Sequence, residues 1–187
     1  MALRIVGGRH RGRPLAAPPD ASIRPTGERT REAVFDILLH GAPAAHVEVA
    51  GARVLDAFAG TGAMGLEALS RGAAEATFIE RDRGALQVLR ANVARLGEPD
   101  RARIIAGDAT VPPRAAAPVD LAFLDPPYRS DVAAAALAAL DAAGWFASGA
   151  IAVVESAMRG GFAPPPGFET IDERRYGKAA VTFLLRR

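Results

Sequence analysis

The run Arg53-Val54-Leu55-Asp56-Ala57-Phe58-Ala59-Gly60-Thr61-Gly62-Ala63-Met64-Gly65 begins β-prone and apolar, passes an acid, and breaks into glycines before a helix-prone segment. Arg53–Phe58 reads as a strand and Ala63–Arg71 as a helix, with three glycines in G-x-G-x-x-G spacing at residues 60, 62 and 65. Glycine at such a junction lets the backbone turn tightly and come close to a ligand. A strand leading straight into a helix is half of a β–α–β unit, and such units build parallel sheets.

The same alternation continues outward from this stretch. Glu75–Glu80 reads as a strand, Arg83–Leu96 as a helix, Arg103–Ala106 and Val119–Leu124 as strands, Asp131–Ala143 as an alanine-rich helix and Ala150–Glu155 as a strand. Residues 168–175 and 179–185 suggest a final antiparallel pair turning at Tyr176-Gly177-Lys178, which reads as a turn or as an RNA contact. The fold class is therefore α/β, a parallel sheet covered on both faces.

Acids stand at the ends of four consecutive predicted strands: Asp56, Glu80, Asp108 and Asp125. Ligands of open α/β sheets bind at that edge. The glycine spacing, with Glu80 at a later strand end, also fits a dinucleotide site. Charge argues against that reading, because Asp56 lies where a pyrophosphate would sit on a helix N-terminus. S-adenosylmethionine carries a sulfonium and an ammonium and no phosphate, which suits an acid. On this reading Asp56, Gly60 and Gly62 line the cofactor, Glu80 accepts the ribose hydroxyls, and Asp108 accepts the adenine amino group.

Asp125-Pro126-Pro127-Tyr128 follows the apolar run Val119–Leu124. Two prolines end the strand, because neither donates a ladder hydrogen bond and both fix φ. The turn holds a carboxylate, a stiff backbone carbonyl and an aromatic ring together. That set suits an exocyclic amino group on a planar base: Asp125 and the Pro126 carbonyl accept its two N–H bonds and Tyr128 stacks on the ring.

The N-terminus differs from the rest. Residues 1–31 hold seven arginines against two acids, whereas residues 32–187 hold 16 basic and 19 acidic residues. A basic arm on a mildly acidic body is the footprint of a polyanion partner. Leu3–Val6 and His10–Leu15 read as a hairpin around Gly7-Gly8, with Arg9, Arg11 and Arg13 on one strand face at period two. Ala16–Ser22 is a Pro-rich connector, and Thr26 or Thr30 is expected to cap a helix running to His40. The expected division is a hairpin and connector over 1–22 and a body over 23–187. No apolar run reaches the ~18 residues that span a bilayer. There is no cysteine, and three scattered histidines make no metal site. These features point to a soluble cytoplasmic protein, a monomer by default.

Taken in order, D-x-F-x-G-x-G at 56–62, I-E-R-D at 79–82, G-D-A at 107–109 and D-P-P-Y at 125–128 resemble class I methyltransferases acting on amino nitrogens. Arg4-Ile5-Val6-Gly7-Gly8 with Arg11-Gly12-Arg13, and Arg24-Pro25-Thr26 with Arg29 and Arg31-Glu32, are similar to the RsmD family. That resemblance spans essentially the whole chain, through Val154-Glu155-Ser156 and Arg175–Lys178. It implies a Rossmann-like sheet of seven strands, the last reversed, with an N-terminal β-hairpin. It also implies methyl transfer from S-adenosylmethionine to the 2-amino group of a guanine in small-subunit (16S) ribosomal RNA. The catalytic set would be Asp125, Pro126 and Tyr128, and Arg4, Arg9, Arg11, Arg13, Arg24 and Arg29 would hold RNA. The rivals are a DNA adenine-N6 or cytosine-N4 methyltransferase, a protein-glutamine methyltransferase, a nicotinamide oxidoreductase, and a non-catalytic RNA-binding relic. A DNA enzyme usually needs a recognition domain for which 187 residues leave little room.

Overall fold

The computed structural model describes residues 3–17, 27–126, 130–157, 162–177 and 179–187. Tyr128, Arg24, Thr26 and Lys178, all singled out from the sequence, lie outside the described residues.

Seven strands form one sheet: β1 (Arg53–Ala57), β2 (Glu75–Glu80), β3 (Ala102–Ala106), β4 (Val119–Leu124), β5 (Phe146–Ala157), β6 (Phe168–Tyr176) and β7 (Ala179–Arg186). Their spatial order is β3-β2-β1-β4-β5-β7-β6. The first five run parallel, and β7 is antiparallel to both β5 and β6. This is the sheet the sequence implies, with its last strand reversed. The order in which strands are added reverses between β1 and its parallel neighbour β4, so their C-terminal ends flank the crevice where such folds take ligands.

Among the described residues, four α-helices cover the sheet: α1 (Glu28–His40), α2 (Ala63–Ser70), α3 (Arg83–Leu96) and α4 (Ser130–Ala142). One core holds Phe35, Leu66, Leu69, Leu89 and Val93 of α1, α2 and α3 against Phe78, Phe123 and Phe183. The other holds the alanine and leucine face of α4 against Leu55, Ala122, Leu124 and Val154. Central β4 is buried on both faces from Leu121 to Leu124, which explains the apolar run there. α3 shows its limits clearly. The Asp82 side chain accepts the Ala85 N–H at 2.7 Å, and Gly97 closes the helix in the left-handed region at φ 73°.

Several local expectations are corrected. α1 is capped by the backbone of Gly27 and has no side-chain cap; Thr30 lies inside its first turn. β5 begins at Phe146 rather than Ala150, because Gly149 (φ 81°) makes an irregularity within a strand instead of a turn before one. The hairpin is narrower than expected. Arg4 and Pro14 form a single antiparallel bridge, and three backbone bonds link Leu3 and Ile5 to Gly12, Arg13 and Leu15. Its turn is a 3-10 segment over Gly8–His10, so Arg9, Arg11 and Arg13 do not line one strand face. Leu3, Ile5 and Leu15 are buried in the same core as α1, which seats the arm on the body.

Candidate active site

Because β3, β2, β1 and β4 are adjacent in that order, Asp108, Glu80, Asp56 and Asp125 fall in a row at the C-terminal edge of the sheet. At ~4.8 Å between strands the row spans about 14 Å. Asp56 is the deepest of the four and Asp125 is exposed.

Asp56 accepts the Gly65 N–H at 2.9 Å, in the first turn of α2. Burial pushes its carboxyl up to about 8, with the Gly65 bond opposing and the charges of Asp125 and Glu80 adding to the rise. Two physical conclusions follow. The anion-seeking N-terminus of α2 is already occupied by a carboxyl group, so a pyrophosphate has no place there. A cation beside Asp56 would relieve the crowding of negative charge and restore the ionised form.

The loop between β1 and α2 is held by backbone geometry. Phe58 adopts φ 63°, rare for a residue with a side chain and costing ~1–3 kcal/mol. This kink carries the chain from β1 toward β2, where the Ala59 N–H bonds the Ile79 carbonyl at 3.0 Å. Gly60 (φ 55°) then gives its N–H to Glu80 at 2.7 Å, and Gly62 (φ 79°) opens α2. A methyl group on Gly65 would overlap the Phe78 ring, so that glycine lets α2 lie close against β2.

Glu80 accepts two further N–H bonds, from Arg81 and Asp82, both at 2.8 Å and both on Oε1. Three of the roughly four acceptor positions of a carboxylate are thus engaged, and the open one lies on Oε2. Asp108 accepts the Thr110 N–H at 2.8 Å and its hydroxyl at 2.7 Å, and pairs with Arg81 at 3.0 Å. Those Thr110 bonds, with Arg81 contributing less, lower its pKa. Arg81 thus engages Oδ2 and Thr110 engages Oδ1 of the side chain expected to accept an adenine amino group. Asp125 follows β4 directly, and Pro126 behind it is buried, which fixes the turn.

The arm arginines meet their own chain. Arg4 Nε donates to Glu28 at 3.1 Å, Arg9 pairs with Glu98, and Arg13 donates to the carbonyls of Arg95 (2.6 Å) and Leu96 (3.4 Å) at the end of α3. Arg11 and Arg29 are exposed and make no such contact.

Three further residues organise this region and were not singled out from the sequence. Glu67, wholly buried in α2, accepts the N–H groups of Val6 (2.8 Å) and Gly7 (2.7 Å) and pairs with Arg31 (3.2 Å) and Arg71 (2.9 Å). Asn92, wholly buried in α3, accepts the Ala16 N–H at 2.7 Å and donates to the carbonyls of Ala16 (3.1 Å) and Thr61 (3.0 Å). It ties the arm to the glycine loop. Glu98, also buried, gathers Arg9, His10 and Arg101. A faint signal existed for Asn92: it sits at helical spacing between Leu89 and Leu96, where a polar residue must find partners.

The sheet order, the glycine loop and the row of acids define a class I methyltransferase domain. The family model described as conserved hypothetical protein 95 matches residues 3–185. Ribosomal RNA small subunit methyltransferase D of Escherichia coli is 40% identical over 88% of this chain and 79% of its own length. The protein of the same name from Haemophilus influenzae is 32% identical over 94% of this chain and 89% of its own. A solved methyltransferase from Escherichia coli superimposes with a TM-score of 0.85 at 37% identity, covering 100% of this chain and 99% of that one. A solved O-methyltransferase in complex with S-adenosylmethionine shares the fold alone, with a TM-score of 0.58 at 17% identity over 83% of this chain and 57% of that one. The chain belongs to the RsmD family, the ribosomal RNA small subunit methyltransferases D.

Proposed function

We propose that this protein transfers a methyl group from S-adenosylmethionine to the 2-amino group of a guanine in small-subunit ribosomal RNA. The observation that carries this reading is the row of four acids, with Asp56 buried and crowded by like charge at the foot of α2. An edge of that sign fits a cationic, phosphate-free cofactor, and the name of the curated relatives supports the substrate.

Asp56, the Gly60 and Gly62 backbone, Glu80 and Asp108 would hold the cofactor. Bound there, S-adenosylmethionine supplies an electrophilic methyl group on a positive sulfur. The chain must do the rest by positioning. The 2-amino nitrogen of guanine is a poor nucleophile, because its lone pair is delocalised into the ring. Asp125 and the Pro126 carbonyl, taking its two N–H bonds, favour a pyramidal nitrogen with the lone pair directed outward. Tyr128 stacks on the base and offsets part of the cost of unstacking it, at ~1–3 kcal/mol. Positioning of this kind supplies ~7–11 kcal/mol of barrier reduction.

Among the arm arginines, Arg11 and Arg29 are the ones with guanidinium groups available for phosphate. Arg4, Arg9 and Arg13 hold the arm in place and contribute field rather than contact; Arg24 joins the RNA-binding set by its place in the sequence. The protein would act as a monomer in the cytoplasm, where ribosomal subunits assemble. No helix among the described residues is long and apolar enough to cross a membrane.

Calorimetry with S-adenosylhomocysteine and with NADH tests the cofactor, and transfer of labelled methyl to RNA or to DNA tests the substrate. Binding of the first ligand alone, with label entering RNA, is expected. NADH binding, or label entering DNA, would overturn the reading.

A further inference from the structure

The arm was expected to carry the RNA-facing charge, yet Arg4, Arg9 and Arg13 are engaged with partners on the body. Unpartnered arginines gather elsewhere. α3 carries Arg83, Arg90 and Arg95 and no acid over its fourteen residues. All three are exposed, and none of their guanidinium groups makes a hydrogen bond or ion pair among the described residues. Arg83, Gln87 and Arg90 share one helical stripe, with the two guanidinium-bearing positions about 10 Å apart along the axis. Arg95 lies about one and a half turns further on and about 120–140° around the helix, at the other flank of its exposed face.

The placement of this charge is unfavourable for the helix itself. Arg83 stands in the first turn, where the helix dipole disfavours a cation, and no acid within the helix offers i,i+4 compensation. The acids that flank α3 are already engaged. Asp82 caps the helix through the Ala85 N–H, and buried Glu98 is saturated by Arg9, His10 and Arg101. The face thus presents positive charge alone.

Its two ends lie at meaningful places. α3 starts three residues after Glu80, so Arg83 stands at the cofactor edge of the sheet. Its last turn receives the arm, because the Arg13 guanidinium bonds the carbonyls of Arg95 and Leu96. Free Arg11, two residues from Arg13, belongs to that end. A basic track of about 20 Å therefore runs from the arm's turn along α3 to the row of acids.

We propose that the outer face of α3, through Arg83, Arg90 and Arg95 with Arg11 at its end, contacts the phosphate backbone of the substrate RNA. The proposal rests on the reading that the substrate is RNA. It adds a surface outside the arm, and the contact reads charge rather than base identity.

Two charge-matched double variants test it: Arg83→Gln with Arg90→Gln on α3, and Arg103→Gln with Arg114→Gln, which removes two exposed, unpartnered arginines from β3 and the loop after it. The probe is a small-subunit rRNA transcript, titrated by fluorescence anisotropy across a salt series. The α3 pair should weaken binding by about tenfold or more at low salt and reduce the slope of log K against log salt by about 1.5, near 0.7 to 0.9 per lost phosphate contact. The second pair should leave both unchanged, and both variants should bind S-adenosylhomocysteine as wild type does. Equal losses from the two pairs, or no loss from the α3 pair, would overturn the proposal while wild type still binds RNA. Wild type that binds S-adenosylhomocysteine but no RNA would overturn the RNA reading beneath it and the proposal together.

Discussion

The N-terminal arm and the C-terminal edge of the sheet are both dense in charge, and they spend it differently. At the edge, four acids stand side by side, and Arg81 pairs with the outermost of them, Asp108, at 3.0 Å. On the arm, Arg4 and Arg9 meet carboxylates and Arg13 meets helix-end carbonyls. The first arrangement leaves a field for a ligand of opposite sign. The second is cement between the arm, α1, α2 and α3. Excess charge of one kind in a segment therefore does not identify a binding surface; what its side chains already touch does.

The largest test of this contrast lies under the arm. Glu67→Ala would leave Arg31 buried without its carboxylate and remove the acceptor of two backbone N–H groups. Breaking a buried pair from one side costs ~3–5 kcal/mol. Urea denaturation should show a loss of that order. A loss below about 1 kcal/mol, within the range of surface pairs, would mean the arm is not cemented as described.

At the edge the expected loss is in chemistry rather than stability. Asp125→Ala should lower kcat for methyl transfer by about 10²-fold or more, since misplacing the nucleophile by ~1 Å costs that much. Its melting temperature and its affinity for S-adenosylhomocysteine should stay near wild type. Wild-type turnover in this variant would remove the carboxylate from the mechanism.

Asn92 joins the two regions, so its loss should be felt in both. Asn92→Leu strands the Ala16 N–H and the carbonyls of Ala16 and Thr61, at ~1–3 kcal/mol for buried groups left unpaired. The expected readout is weaker S-adenosylhomocysteine binding by about tenfold, because the loop that holds Thr61 loses its anchor. Lower stability with unchanged ligand affinity would restrict Asn92 to a structural role.

A further effect concerns pH and Asp56. Its carboxyl is raised from 3.8 to about 8 in the fold, by burial first. Between those values the native state holds a proton that the unfolded chain has lost, so this group's contribution to stability falls as pH rises toward 8. Asp56→Asn keeps an acceptor for the Gly65 N–H and should flatten that part of the stability profile. A cation at the site favours ionised Asp56, so S-adenosylmethionine should bind more tightly as pH rises from 6.5 to about 8.5. A profile identical in wild type and variant would contradict a titrating Asp56.

The sheet was legible because its signals are local. β4 is apolar from Leu121 to Leu124, α3 carries its own cap and terminal glycine, and the acids at strand ends come to one edge because the strands that carry them are adjacent and parallel. The errors share a cause: the deciding partner lies far away in the chain. The sequence reads a strand only from Ala150, yet Phe146 already pairs with Val119 of β4 and the register then jumps past Gly149 to Ile151. Arg9 and Arg13 read as ligand-facing, yet their partners stand 89 and 82 residues away. The strained Phe58 has no compositional signal at all, because the pull on it comes from Ile79 and Glu80 on the neighbouring strand.

The central claim is that the acid row and the Asp125 turn make an amino methyltransferase for guanine in small-subunit RNA. It is tested most directly by incubating the protein with methyl-labelled S-adenosylmethionine and small ribosomal subunits from a strain lacking this activity, then analysing the nucleosides. Label in N2-methylguanosine, absent with Asp125→Ala, is the predicted result. Label in any other nucleoside, or none despite cofactor binding, would contradict it.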